Sequence, residues 1–450
     1  VQHRRLSPPR PFCFCIKCGI NVPAGQSSLT LSGGGVVGSG ISFFKAKTRA
    51  EVLADLAGFA PLPVEVVPLI ESSGRVLAED VIAPEDVPGF DRSTMDGFAV
   101  RAAETFGAGE GSPALFEVAG EVPMGAQPTE DLSPGRAVRI WTGGMLPPGA
   151  DAVVMLEYSR ELDDTTVELI RAVAPGENVI QRGDDVKVGS RLLPQGHRLR
   201  PQDVGLLAAL GRVEVPVHRR PRVAVLSTGD EVVPVDVQPG PGQVRDVNAY
   251  TLASLAAKCG AESELLGLVG DDPEAIRRGV ARGVAAADVV LVSGGSSVGR
   301  RDFTLDTFLS FDGAELLVHG VSVSPGKPTI LVRLGRQSLW GLPGHVTSAM
   351  IVFDLFVRPL LARLSGGTAD REAWRPRVLA RLGRNLPSVP GREDFVRVRL
   401  EATADGPVAW PILGASGLLA TMIRADGVIR VPLHDEGLMR DEVVEVTLFE

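Results

Sequence analysis

Two short apolar runs limit what this chain can fold into. Residues 222–226 (RVAVL) and 288–292 (DVVLV) are each long enough for one buried strand, and each stops at a loop of small and hydroxylated residues. The first run leads into Ser227, Thr228, Gly229, Asp230 and Glu231. The second leads into Ser293, Gly294, Gly295, Ser296 and Ser297, with Gly299 and Asp302 close behind. Helical patterns alternate with the strands. One covers 248–259 and stops at Gly260; another covers 272–287, opened by Asp272 as cap and Pro273 in its first turn, with a strand at 265–269 between them. This alternation predicts a central three-layer α/β domain with a mostly parallel sheet. In such a domain the loops at the strand ends hold ligands. Glycine lets the backbone come close, and free N–H groups and hydroxyls then face an anion.

The rest of the chain reads differently. Short β patterns at 115–118, 137–140, 152–155 and 167–173 predict a mainly β domain inserted before the α/β domain. Others at 395–400, 428–431 and 443–448 predict a small C-terminal β domain. Helices are expected at 48–57 and 204–210, and residues 64–84 read as a helix or a strand bounded by prolines. A strand is expected at 328–332. A buried helix is expected from about 346 to 364, kinked or ended by Pro359, with Asp354 and Arg358 spaced to pair. The length of 450 residues suits about three or four domains.

Charge and cysteine content narrow the function. A net charge of −9 argues against general nucleic-acid binding. Residues 1–50 carry Lys and Arg but no Asp or Glu, which marks a boundary near Ala50. Residues 1–40 are expected to be a disordered tail or a non-native extension, with a targeting peptide as the alternative. Cys13, Cys15 and Cys18 have metal-like spacing but no second half to complete a tetrahedral site. Four cysteines in the whole chain make no disulfide framework, so a reducing cytoplasm is the expected setting. No run reads as a transmembrane helix.

Each polar cluster has a chemical reading and a plainer one. Residues 293–299 with Asp302 could hold a phosphate or the edge of a pterin, with Asp302 on a cation; otherwise they form a tight turn with Asp302 as a helix cap. Asp230 and Glu231 could supply carboxylate oxygens to Mg²⁺, or be solvated acids. Asp271 lies at a strand end on the same sheet edge as the other loops, whereas Asp272 is expected only to cap. Lys327, in Pro325-Gly326-Lys327-Pro328, can balance an anion or be an exposed lysine on a rigid turn. His345, after Gly341-Leu342-Pro343-Gly344, reads as a cap more readily than as a ligand. The polar loops with Asp96 (DRSTMD), Thr142 (WTGG) and Asp185 (RGDD) are weak signals one at a time. There is no H-E-x-x-H, G-x-x-x-x-G-K-[ST] or G-x-S-x-G motif.

Taken in order, these motifs resemble the molybdopterin molybdenumtransferase family, which includes the E domain of gephyrin. The matching stretches are VPGFDRSTMDGFAVR (87–101), RIWTGGMLPPGADAVVMLE (139–157), NVIQRGDDVKVG (178–189), VAVLSTGDE (223–231), DVVLVSGGSSVG with Asp302 (288–302), PGKP (325–328) and GLPG (341–344). The resemblance runs from about residue 41 to the C-terminus. It implies an L-shaped homodimer of four-domain subunits. The domains would be 41–83 with 184–214 (elongated, discontinuous), 84–183 (mainly β), 215–369 (α/β, molybdopterin-binding) and 370–450 (small, β). It also implies insertion of molybdate, or alternatively tungstate, into adenylylated molybdopterin, with Mg²⁺-assisted release of AMP.

By motif, the implied catalytic acids are Asp96, Asp185, Glu231, Asp271 and Asp302, with Glu231, Asp271 and Asp302 as metal ligands. Thr142, Ser227, Thr228, Gly229, Asp230, Ser293, Gly294, Gly295, Ser296, Ser297, Gly299, Pro325, Lys327, Pro343, Gly344, Arg392 and Ser416 are the implied substrate-binding set. In the family, the pterin site lies between the α/β domain of one subunit and the mainly β domain of the other. The adenylyltransferase of the preceding step and apo-molybdoenzymes are candidate partners; nucleic acid and membrane are not. The chain departs from the family pattern at Ser324, where lysine is common, and at His345-Val346, where Asn-Pro is common. Two other readings compete: the adenylyltransferase itself, which would match only the α/β stretch, and a non-catalytic molybdopterin-binding scaffold.

Overall fold

A six-stranded mixed sheet forms the centre of the computed structural model. It is built from β1 (Arg222–Thr228), α1 (Asn248–Lys258), β2 (Glu262–Val269), α2 (Pro273–Ala286), β3 (Val289–Ser293), α3 (Phe303–Leu309), β4 (Ala314–His319), β5 (Ile330–Leu334) and β6 (Gln337–Leu342). The strand order is β2-β1-β3-β6-β5-β4; the first four are parallel, β5 is antiparallel to both its neighbours, and β4 therefore runs in the direction of the first four. The described residues are 46–294, 303–367 and 375–449. Expectations placed on residues 1–40, on Cys13, Cys15 and Cys18, and on Gly295, Ser296, Ser297, Gly299 and Asp302 lie outside them.

The unbroken apolar runs of β1 and β3 follow from cover on both faces. Val223, Val225, Val289 and Leu291 pack with Ala249, Leu252 and Ala256 of α1 on one side. Ala224, Leu226, Val290 and Val292 pack with Ile276 and Val280 of α2 and Phe308 of α3 on the other. Asp272 caps α2 as its position before Pro273 predicts, accepting from the Ala275 N–H at 2.9 Å. From β1 the chain crosses to β2 on one side, then back to β3 on the other. A crevice therefore opens between the C-terminal ends of β1 and β3, the position where doubly wound sheets bind ligands.

The buried helical stretch after β6 runs over the expected 346–364, and of the two outcomes expected at Pro359 an end does not occur. Helix continues from α4 (Val346–Val352) through a π turn (Phe353–Val357) to α5 (Arg358–Leu364). The π turn lies just where the proline ring would meet a carbonyl one turn back, and it lets the helix run on. Asp354, in that turn, pairs with Arg358 at 2.9 Å and also with Arg375 at 2.8 Å. Trp340 of β6 is fully buried and stacks on Phe356 with ring centroids 6.5 Å apart.

Before the α/β part, six strands form a sheet in the order Ala152–Met155, Gly97–Val100, Arg136–Ile140, Ala114–Val122, Thr166–Leu169, Ser159–Asp163. Its core includes Phe98, Phe116, Val154 and Leu169. Residues far apart in sequence share another core: Val67, Leu77 and Val81 pack with Leu193, Leu207 and Val217. Val64–Pro68 is a strand, paired antiparallel with Glu214–His218.

At the C-terminus, Glu393–Thr403, Gly406–Pro411, Arg377–Leu382, Val443–Leu448 and Gly427–Val431 pair in sequence around a ring. The first pairs again with the last, which closes a barrel and leaves few free edges. Val323–Ser324 adds to this barrel in parallel with Glu393–Thr403 and ties it to the central part. No helix among the described residues is long and apolar enough to cross a membrane.

Trp340→Ala should cost about 3–5 kcal/mol, the usual range for emptying a fully buried aromatic site. A urea melt of the variant against the parent checks this.

Candidate functional site

Two buried hydroxyls line the crevice. Ser227 and Thr228, at the end of β1, are 2% and 3% exposed, and neither hydroxyl has a hydrogen-bond partner among the described residues. Buried polar groups are normally satisfied, so an orphan pair at a strand end points to a ligand. Glycines let the loops close in around it. Gly294 has φ +114°, and a Cβ there would lie 2.3 Å from the Thr228 carbonyl oxygen. Gly229 has φ +140°. A Cβ on Gly344 would sit 3.6 Å from the Gly294 Cα, so the loops after β1, β3 and β6 converge.

Carboxylates crowd the same edge. Asp230 Oδ1 accepts from the Asp271 N–H at 3.0 Å. Loss of water around the Asp271 carboxyl, and then the negative charges of Asp230 and Glu231, hold it above the ordinary aspartate value. This places Glu231 and Asp271 beside each other electrostatically. No cluster of three or more candidate metal ligands occurs among the described residues; Asp302, the expected third, lies outside them.

A second group gathers in the mainly β domain. Asp96 Oδ1 accepts from both the N–H and the hydroxyl of Thr142 at 2.7 Å, which holds Asp96 below the ordinary range. The loops are joined by backbone: Gly143 N–H to Ser93 O at 2.8 Å and Ser93 N–H to Gly144 O at 3.0 Å. Asp91 Oδ1 accepts from the Arg182 N–H at 2.7 Å, and the Asp185 N–H donates to Val87 O at 3.1 Å. Three polar loops that are weak signals singly are therefore neighbours. Among the described residues no hydrogen bond or ion pair joins them to the crevice.

A third group lies where the barrel meets α4. Lys327 is exposed beside Gly326, whose φ is +127°. His345 occupies the cap position of α4, but its side chain makes no capping bond; Nδ1 instead meets Ser416 Oγ at 2.7 Å. Arg392 pairs with Asp394 at 3.0 Å rather than with this group. Arg397, which sequence reasoning passed over, is 7% exposed. Its guanidinium donates to the Thr421 hydroxyl, to Thr347 Oγ1 at 3.4 Å and to Gly414 O at 2.9 Å. These are neutral acceptors, and burial holds Arg397 below the ordinary arginine value. A desolvated cation with such partners is complementary to an anion. Alternation from Phe395 puts Arg397 on the inner face of its strand, which was the available signal.

Asn248 was also read only as a helix start. Its Nδ2 donates to Ser293 Oγ at 2.6 Å and to Gly344 O at 2.7 Å, spanning two of the converging loops.

Comparison with known proteins gives matches along most of the chain. Residues 45–211 match the MoeA N-terminal region (domain I and II), 224–363 a probable molybdopterin binding domain, and 379–449 the MoeA C-terminal region (domain IV). A molybdopterin molybdenumtransferase from Nostoc is 36% identical over 378 residues, covering 82% of this chain and 85% of the relative. One from Haemophilus influenzae is 34% identical, covering 90% and 98%. A molybdopterin biosynthesis MoeA crystal structure from Pyrococcus horikosii aligns with a TM-score of 0.76 at 38% identity, over 90% of this chain and 100% of that one.

Asp230→Asn keeps the acceptor for the Asp271 N–H but removes one negative neighbour. It should move Asp271 down toward the ordinary aspartate value, so that Asp271 stays ionised to lower pH. A carboxyl-carbon NMR titration of both proteins reads the shift directly; an unmoved Asp271 would mean desolvation acts alone.

Proposed function

We propose, on the premise that the chain belongs to the molybdopterin molybdenumtransferase family of MoeA proteins, that it inserts molybdate into adenylylated molybdopterin and releases AMP. The observation that carries this reading is the crevice between β1 and β3. Its Ser227 and Thr228 hydroxyls, without a partner among the described residues, and its close-approaching glycines suit a phosphorylated ligand, and its rim is acidic.

Carboxylate oxygens are the hard donors Mg²⁺ prefers, and Asp230, Glu231 and Asp271 share this rim, where loss of water and then the charges of the other two raise Asp271. Among the described residues no three such groups make a metal site, so the ion would be held by Glu231 and Asp271 together with phosphate oxygens of the substrate. When bound, the ion would neutralise charge on the phosphoanhydride. Ser227, Thr228 and Ser293 would hold phosphate oxygens by their hydroxyls. Gly229 and Gly294 let main-chain atoms approach the same oxygens. Asp302 is assigned to this acid set by its motif.

Molybdate is an oxyanion and needs cations. Arg397 is already desolvated beside the Ser416 loop, and Lys327 is an exposed, mobile charge. The chain supplies no lysine at Ser324, so Arg397 and Lys327 bear more of this role. The Asp96, Thr142 and Asp185 group would complete the crevice of a second copy in a homodimer. That reading accounts for a polar cluster that, among the described residues, has no hydrogen bond or ion pair to the crevice of its own chain.

The test is AMP release from adenylylated molybdopterin by residues 41–450 with Mg²⁺, with and without molybdate or tungstate. Oxyanion-dependent release supports the transferase and identifies the metal handled. Tight pterin binding with no release would replace it with a scaffold. Lys327→Ala should raise the molybdate concentration for half-maximal rate by about tenfold, the loss of one charge-assisted contact of ~1.4 kcal/mol.

A further inference from the structure

We propose that Asn248 is a positioning residue that sets the spacing of the loops flanking the crevice; the proposal rests on the transferase reading of that crevice. Asn248 opens α1, and the start of α1 is itself held. The Asp246 N–H donates to Val233 O at 2.8 Å, and Asp246 Oδ1 accepts from the Ala249 N–H at 3.1 Å. From this fixed point the Asn248 side chain reaches across the ends of two neighbouring strands. One N–H of its amide goes to Ser293 Oγ at 2.6 Å, at the end of β3. The other goes to Gly344 O at 2.7 Å, between β6 and α4. Both amide donors are therefore used.

Two consequences follow from which atoms are joined. Among the described residues, the backbone link past the end of β3 to the end of β6 is one long bond, Gly294 N–H to Leu342 O at 3.3 Å. Asn248 adds a second tie, just where the Gly294 turn presses on Thr228. Ser293 is 3% exposed, and its hydroxyl oxygen is occupied as an acceptor from Asn248. Its own proton is then available to a ligand oxygen. Asn248 thus anchors the β3 side of the crevice to the Gly344 loop and sets the donor direction of one of its hydroxyls, without touching substrate itself.

The substitutions that separate this from a space-filling role are Asn248→Asp and Asn248→Ala. Aspartate has the same shape but no donor when ionised, and it sets a negative charge against the Gly344 carbonyl. Alanine leaves a gap that water can fill. A positioning role makes aspartate the worse change, whereas a packing role makes alanine the worse.

For AMP release, Asn248→Asp should raise KM for adenylylated molybdopterin by at least about tenfold, with a smaller effect on kcat and an unchanged thermal midpoint. Asn248→Ala should raise it by about threefold. Hydrogen exchange of the ligand-free protein gives a readout independent of activity: amides of 289–294 and 342–349 should exchange faster in Asn248→Asp. If the parent releases no AMP yet exchange rises, the transferase reading fails and the tie stands. Unchanged exchange with unchanged KM would overturn the tie, as would unfolding of both variants, which would make Asn248 a core residue.

Discussion

The close passage of β3 past the end of β1 is the contact on which the candidate site depends. At Gly294 the chain turns at φ +114° so near the Thr228 carbonyl that no side-chain carbon fits between them. This approach narrows the crevice and leaves the Ser227 and Thr228 hydroxyls buried with no partner among the described residues. It exists because the chain crosses to β2 and then back over β1 to β3, so that the loops after β1 and β3 leave in different directions. Everything else at that edge is arranged around the gap: the acids of the 230–231 and 271 loops, the Gly344 loop, and Asn248 between β3 and β6.

The junction between the α/β part and the C-terminal barrel obeys a different physical rule. There a buried guanidinium, Arg397, is balanced by hydroxyls and a carbonyl in place of a carboxylate. An uncompensated buried cation is costly, and sites that keep one usually meet an anion. Val323–Ser324 joins the barrel as an added strand, and His345 reaches Ser416. The barrel is thus held against α4 at the point where Thr347 receives the arginine. The residues that differ from the family pattern, Ser324 and His345, both lie in this junction.

The α/β elements were legible because periodicity and capping agree locally. Residues 222–226 and 288–292 are strands in β1 and β3, 248–259 is essentially α1, and Asp272-Pro273 opens α2. The strand β4 and the π turn ahead of Pro359 were not legible, although the helix over 346–364 was. The first depends on β4 finding an edge beside β5, the second on how the buried helix accommodates the proline. At the site, Ser227, Thr228, Gly229, Ser293 and Gly294 were singled out from their motifs and are brought together. Arg397 and Asn248 were missed. One is a charge inside an apolar strand, and the other looks like an ordinary first residue of a helix.

Residue order alone determined the alternation of strands and helices, the glycine and hydroxyl loops at the strand ends, and the family. These are matters of local period and of motifs a few residues long. Tertiary structure decided which loops meet. It set Asp96 on Thr142, placed Asp271 among negative neighbours, buried Arg397 without an acid, and ran Asn248 between β3 and β6. Such contacts join residues from 17 to 96 positions apart, and their energies come from desolvation and directed hydrogen bonds. Those exist only once the strands are in register and water has been excluded, so no local pattern could announce them.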